Sequence, residues 1–292
     1  MFRVLLYYKY VKIENPQALR DSQFALCERL GLHGRILLAE EGLNGTVCGS
    51  VEACEEYKRE ICADVRFADM EFKESDSEEQ VFPKLRVVVR EEIVTLGVGT
   101  TVSADEAAEY ISPEELNALM HSGEEYYLVD ARNNYESMVG KFRNAITPDI
   151  HNFRDFPQAL VEMAHLKQKK IVTYCTGGVR CEKASALMKK MGFEDVKQLH
   201  GGIVTYGNEF PDDGWEGKCY VFDKRIAVDV NSPDKEVLVS TCVHCEEKSA
   251  RMINCSNVLC NKQIVCCEAC DTKFQGGCSV ECGQKSRYLT SS

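Results

Sequence analysis

The chain has 292 residues, 44% of them hydrophobic and 28% charged, with 20 Gly, 7 Pro, 16 Cys and a formal net charge of −11. That length suits two or three globular domains, and the composition excludes low-complexity, collagen and coiled-coil architectures as well as any apolar run of the roughly 20 residues a membrane span needs. The acidic balance argues against indiscriminate nucleic-acid binding, but it is uneven: residues 1–111 hold 13 basic and 21 acidic side chains, whereas residues 137–190 hold 10 basic and 4 acidic.

Met1 to Tyr10 has one apolar run broken by Lys9 and no small-residue cleavage site. This predicts a first β-strand of a cytoplasmic protein rather than a signal peptide. A helix (Pro16 to Leu30), a strand (Gly34 to Leu38), a glycine turn at Glu41 to Gly45 and a strand (Thr46 to Gly49) follow. Next come a helix from Val51 to Ile61 with Ser50 as N-cap and two β-branched stretches, Asp69 to Lys73 and Leu85 to Val89. The order βαββαβ predicts a small α+β domain over residues 1–97, with 98–110 as a linker. Cys27, Cys48, Cys54 and Cys62 are expected there as small apolar residues.

From residue 111 the pattern changes. Ser112-Pro113-Glu114-Glu115 is a helix start with a capping box. Strands are expected at Tyr126 to Val129, ending in Asp130-Ala131-Arg132, at Lys170 to Tyr174, and at Val196 to Leu199, running into Gly201-Gly202. Strands alternating with helices predict a parallel α/β domain over 111–215, where functional loops sit at the carboxyl ends of strands. A C-terminal extension, 216–292, opens with a β-like stretch, Cys219 to Val230, and carries nine cysteines between Cys242 and Cys282.

One loop carries nucleophile chemistry. Cys175 follows the Lys170 to Tyr174 strand in Cys175-Thr176-Gly177-Gly178-Val179-Arg180, before a helix from Cys181 to Met191. Amides curled inward by the two glycines, the helix N-terminus and Arg180 all favour thiolate over thiol. The spacing Cys-x4-Arg makes a smaller cradle than the Cys-x5-Arg loop of cysteine phosphatases, and it suits sulfur carried on a cysteine. Asp130 and Arg132 either line this pocket or cap their strand. Cys181 either packs or resolves a persulfide on Cys175. The basic stretch could meet a polyanion around this loop, with Lys141, Arg143, Arg154 and Lys183 as the candidates for its anionic groups.

The tail reads Cys242-x2-Cys245, Cys255-x4-Cys260, Cys267-x2-Cys270 and Cys278-x3-Cys282, leaving Cys266 over. Four short-spaced pairs are what two tetrahedral thiolate sites require, so two structural zinc ions are expected, with iron–sulfur ligation as the alternative. His244, between two of these cysteines, is not expected to bind metal.

The Cys175 loop, Asp130-Ala131-Arg132 and Leu199-His200-Gly201-Gly202-Ile203 together resemble a rhodanese domain. Glu40-Glu41-Gly42-Leu43-Asn44-Gly45, Gly140-Lys141-Phe142-Arg143-Asn144-Ala145 and Tyr220-Val221-Phe222-Asp223 extend the likeness over nearly the whole chain. It is similar there to the oxygen-dependent tRNA uridine hydroxylases, which convert the wobble uridine to 5-hydroxyuridine. The resemblance implies a ferredoxin-like N-terminal domain, a rhodanese domain and a cysteine-rich tail, with Cys175 as the active-site cysteine able to carry a persulfide. It also implies dioxygen as co-substrate and the tRNA anticodon region as partner. No flavin or nicotinamide fingerprint and no two-His-one-carboxylate set is evident. The loop chemistry by itself equally serves a sulfurtransferase fed by a sulfur donor; an intact Cys175 and Arg180 weigh against a non-enzymatic scaffold. Nothing in the sequence sets an oligomeric state.

Overall fold

The computed structural model describes residues 1–235 and 237–285; Glu236 and residues 286–292, the end of the extension, lie outside the described residues. The first domain comprises β1 (Phe2–Tyr10), α1 (Pro16–Arg29), β2 (His33–Ala39), β3 (Gly42–Ser50), α2 (Val51–Cys62), β4 (Phe72–Ser77) and β5 (Leu85–Val89). Its sheet has the order β4-β1-β3-β2-β5, antiparallel except for the β2–β5 pair. Strand alternation turns Leu5, Tyr7, Ile36, Leu38 and Val47 onto Leu19, Cys27, Cys54, Tyr57 and Ile61 of the two helices. Asn15 and Ser50 cap those helices by accepting from the amides of Ala18 and Ala53.

The glycines expected as a turn at Glu41 to Gly45 already lie in β3. They serve close approach instead. A Cβ on Gly45 would stand 2.4 Å from the Tyr7 ring, and one on Gly42, at φ +147°, would stand 2.1 Å from the Lys9 carbonyl oxygen.

The central domain contains β6 (Glu109–Ile111), α3 (Pro113–His121), β7 (Tyr127–Asp130), α4 (Asn134–Ser137), β8 (Gly140–Phe142), α5 (Phe156–Glu162), β9 (Lys170–Tyr174), α6 (Val179–Lys190), β10 (Asp195–Leu199) and α7 (Gly202–Glu209). Four strands form a parallel sheet in the order β6-β10-β9-β7. Strand β6 begins inside the expected linker; three residues are too few to show an alternation. The extension adds β11 (Trp215–Gly217), paired with β8, then β12 (Cys219–Tyr220) and β13 (Ala227–Val228), β14 (Met252–Asn254) and β15 (Gln263–Val265), α8 (Glu268–Phe274) and α9 (Val280–Lys285). The single β-like stretch expected at Cys219 to Val230 is a hairpin, because Asp223 folds back on Arg225 (2.9 Å) and Ile226 takes a positive φ of 62°.

The N-terminal sheet leans its helix-free face on the central domain. Tyr8 donates to Glu182 (2.9 Å), Tyr10 donates to the carbonyl of Val179 (3.1 Å), and Lys183 bridges Glu41 and Glu92, each at 2.7 Å.

Candidate active site

Cys175 stands where β9 passes into α6, and Gly178 caps that helix in the left-handed region at φ 102°. The Gly178 amide donates to the Cys175 sulfur at 3.1 Å. Full burial pushes the thiol pKa up. A hydrogen bond from Cys181, the Arg180 charge and the amides of Arg180 and Gly178 outweigh it, so the pKa ends well below the ordinary thiol range. Cys181 is buried alongside, and burial and its neighbour keep it protonated. The Gly201-Gly202 motif clamps the loop: the amides of Ile203 and Val204 donate to the carbonyls of Cys175 (3.0 Å) and Thr176 (3.1 Å). A Cβ on Gly202, at φ +65°, would stand 2.4 Å from the Cys175 carbonyl oxygen. The N-terminal domain roofs the loop, since a Cβ on Gly177 would meet Leu6 at 2.9 Å and one on Gly178 would meet the Tyr8 hydroxyl at 2.9 Å.

Arg180 has a partner that sequence inspection missed. Its guanidinium takes Glu136 in two bonds of 2.5 and 2.8 Å, and Glu136 is fully buried. Glu136 also closes a capping box on Asn133, and that Asn-x-x-Glu spacing is the only sequence trace of it. The carboxylate fixes the guanidinium beside Thr176 (3.3 Å) and neutralises much of its charge, so backbone amides share the task of holding a thiolate. Asp130 and Arg132 pair with each other, both with no exposure, and Arg132 also donates to the Gly140 carbonyl and lies over the Trp215 ring at 5.3 Å. Neither lines the cleft beside the loop. Of the RNA candidates, Lys183 must be corrected: it is 2% exposed and its ammonium is spent on Glu41 and Glu92. Arg143 is exposed and paired with Glu216 (3.0 Å), Arg154 is exposed and Lys141 half-buried.

Sequence families match in the same three blocks: the UPF0176 acylphosphatase like domain over residues 2–93, the rhodanese-like domain over 112–209 and the rhodanase C-terminal segment over 216–283. A protein of Cytophaga hutchinsonii named tRNA uridine(34) hydroxylase is 48% identical over 281 residues, covering 96% of this chain and 89% of its own. One of the same name from Bacillus licheniformis is 48% identical over 292 residues, covering 99% and 90%. The chain belongs to the tRNA uridine(34) hydroxylase family. A rhodanese-like domain from Anabaena sp. aligns with 37% of this chain and 78% of its own at 23% identity and a TM-score of 0.31, a likeness too slight to add to that assignment.

In this member of the hydroxylase family the eight expected cysteines gather into two sets of four. Cys242, Cys245, Cys267 and Cys270 form one; Cys255, Cys260, Cys278 and Cys282 form the other; within each, the sulfurs lie within 4.8 Å of one another. The pairing is therefore crossed, first pair with third and second with fourth. Sulfurs at ~2.3 Å from one tetrahedral ion stand about 3.8 Å apart. Cys245–Cys267 and Cys260–Cys278 are each at 3.7 Å, so both sets fit a metal ion. Cys266 is buried outside both sets, and His244 stacks on Phe274 at 3.8 Å instead of ligating.

Beside the loop lies a cleft of about 170 Å³ to which all three regions contribute, among them Leu6, Thr46, Lys73, Thr176, Phe222 and Arg225. Lys73, on the N-terminal sheet, escaped sequence inspection because only the docking of two domains brings it to the loop. Among the described residues no helix is long and apolar enough to cross a membrane.

Proposed function

We propose that this chain hydroxylates carbon 5 of uridine 34 in tRNA, with Cys175 as covalent catalyst and the tRNA anticodon region as substrate. The observation that carries this is the Gly178 amide donating to the Cys175 sulfur at 3.1 Å at the start of α6, an arrangement that favours thiolate over thiol, in a chain 48% identical to named hydroxylases. Carbon 5 of uracil is a poor target for oxygen. Addition of the Cys175 thiolate to carbon 6 breaks the C5=C6 π bond and moves that pair toward carbon 5 and the O4 oxygen, making carbon 5 nucleophilic. Net, the C5–H bond and dioxygen become C5–OH and water. Two electrons come from a thiol pair oxidised to a disulfide, and the Cys175 sulfur departs with its pair. A persulfide on Cys175, whose outer sulfur attacks, is a variant of this step. Because Cys175 is fully buried and its loop roofed by Leu6 and Tyr8, the base must leave its stack and the roof must yield. Sulfur transfer from a donor remains a capacity of the same loop, but the relatives' names do not favour it. Purified protein given tRNA under air should add one oxygen to the wobble uridine, read by nucleoside mass spectrometry. Equal product under argon would overturn the use of dioxygen.

The reading extends to the other parts. We infer that both cysteine sets hold zinc, that the chain works in the cytoplasm, and that functional units divide near residues 97, 110 and 215. Zinc there supplies folding energy to a module with a small apolar core and no chemistry to the uracil. Metal analysis should find about two zinc per chain. Cys242→Ser should lose one of them and expose its half of the module to protease, whereas full zinc content in that variant would refute the assignment.

A further inference from the structure

Pairing register sets five residues in one transverse row on the helix-free face of the N-terminal sheet. Lys73 on β4 is opposite Leu6 on β1, Leu6 opposite Thr46 on β3, Thr46 opposite Arg35 on β2, and Arg35 opposite Arg86 on β5. Directly paired residues share a face, and Arg90, four residues beyond Arg86, falls on it too. With strands about 4.8 Å apart, the row runs about 19 Å from Lys73 to Arg86.

The two ends differ. At the inner end Leu6 and Lys73 stand over the Cys175 loop and, with Thr46, line the cleft. The Lys73 side chain makes no ion pair or hydrogen bond among the described residues; its ammonium lies 5.5 Å from the centre of the Tyr8 ring. At the outer end Arg35, Arg86 and Arg90 are exposed, and among the described residues none has an ion pair or a side-chain hydrogen bond. Partial burial and the charges of Arg86 and Arg90 depress the Arg35 pKa, which marks the three as close neighbours.

Some exposed cations elsewhere are matched, Lys169 with Glu125, Lys170 with Glu124, Lys190 with Glu106 and Arg3 with three carboxylates, and others stand singly among the described residues. Arg35, Arg86 and Arg90 differ in standing together, with Arg35 and Arg86 directly paired across β2 and β5. Acidic side chains outnumber Lys and Arg by 46 to 35, so counter-ions are not scarce. Like charges placed directly opposite across two strands destabilise a sheet. An external anion relieves that repulsion. Beyond Arg90 the surface turns acidic, around Glu14, Glu40 and Glu91, which bounds the track.

We propose that this sheet face docks the anticodon arm of tRNA, with Arg86, Arg35 and Arg90 on backbone phosphates and Lys73 on the nucleotide whose base enters the cleft. This rests on tRNA being the substrate, as proposed above. It moves the RNA contact away from the basic stretch of the central domain, where, of the four candidates, Lys183 is buried, Arg143 is paired and only Lys141 and Arg154 stand without an ion pair among the described residues. The contact passes to adjacent cations whose row leads to the catalytic loop.

The test uses the full chain and substrate tRNA, with binding measured over a series of salt concentrations. Each phosphate contact to a single strand contributes about 0.7 to the slope of log K against log salt. Arg35→Ala with Arg86→Ala should weaken binding and flatten that slope by about 1.4. The corresponding double lysine variant should keep it, and Lys141→Ala with Arg143→Ala should leave it near wild type. Arg35→Gln and Arg86→Gln singly, each expected to remove half the effect, serve if the double variant folds poorly. Wild-type affinity and slope in the arginine variants, while the wild type binds and hydroxylates tRNA, would overturn this surface alone. A wild type that binds no tRNA would overturn the substrate reading and the surface with it.

Discussion

Cys175→Ser is expected to abolish 5-hydroxyuridine at position 34 while leaving fold and tRNA binding intact. Serine keeps the size and the hydrogen bond from Gly178, but its hydroxyl does not ionise at neutral pH, so the carbon 6 addition loses its nucleophile. Nucleoside analysis of tRNA treated with wild type and variant measures this directly, and near-normal product from the serine variant would eliminate the covalent role. The pH dependence supplies a second reading. The folded environment lowers the Cys175 pKa, so the thiolate is fully populated above that lowered value. Activity should be flat through neutrality and fall only as the pH drops through it. A rate that instead climbs through the ordinary thiol range, near ~8.5, would show that the cradle does not hold a thiolate. Arg180→Ala is a poorer probe. It strands Glu136, fully buried and doubly bonded to Arg180, so lost activity would be confounded with lost structure.

What was legible in the sequence is what local chemistry dictates. Ser50, Ser112 and Pro113 announced their helices because a cap acts on amides two or three residues away. The loop from Cys175 to Arg180 was legible because its glycines, its helix start and its cysteine are contiguous, and the eight tail cysteines because a chelate needs short spacing. Their crossed grouping was not, since it depends on how β14, β15 and α8 fold back. Long-range partners were hidden for the same reason: Glu136 is 44 residues from Arg180, and Lys183 reaches 91 residues to Glu92. A basic residue in a basic stretch looks solvated until the carboxylates that bury it are found. Conversely, Arg35 and Arg86 lie in an acidic domain, and only the β2–β5 register sets them side by side.

Lys183 separates those two views by experiment. Its ammonium holds Glu41 from the β2–β3 turn and Glu92 from the segment after β5, latching the N-terminal domain onto α6. Glu92 also accepts the amides of Leu96 (3.0 Å) and Gly97 (3.1 Å), and Glu41 accepts that of Ile93 (2.8 Å), so both carboxylates are fixed in place and cannot swing out to water when the cation is lost. Removing one partner of such a buried arrangement costs about 3–5 kcal/mol. Glu41 keeps some exposure, so Lys183→Met should fall near the lower end, about 3 kcal/mol in urea unfolding. Burial raises the Glu92 pKa, but Lys183 and the two amides outweigh it and hold the carboxyl below its ordinary value. Its share of stability is therefore present above the unfolded carboxylate pKa and lost as pH falls through the lower folded one. The Lys183→Met deficit should accordingly be largest near neutrality and shrink in acid. A phosphate-binding lysine would behave in the opposite way, leaving unfolding unchanged and flattening the salt dependence of tRNA binding. That outcome would return Lys183 to the RNA surface and dissolve the latch.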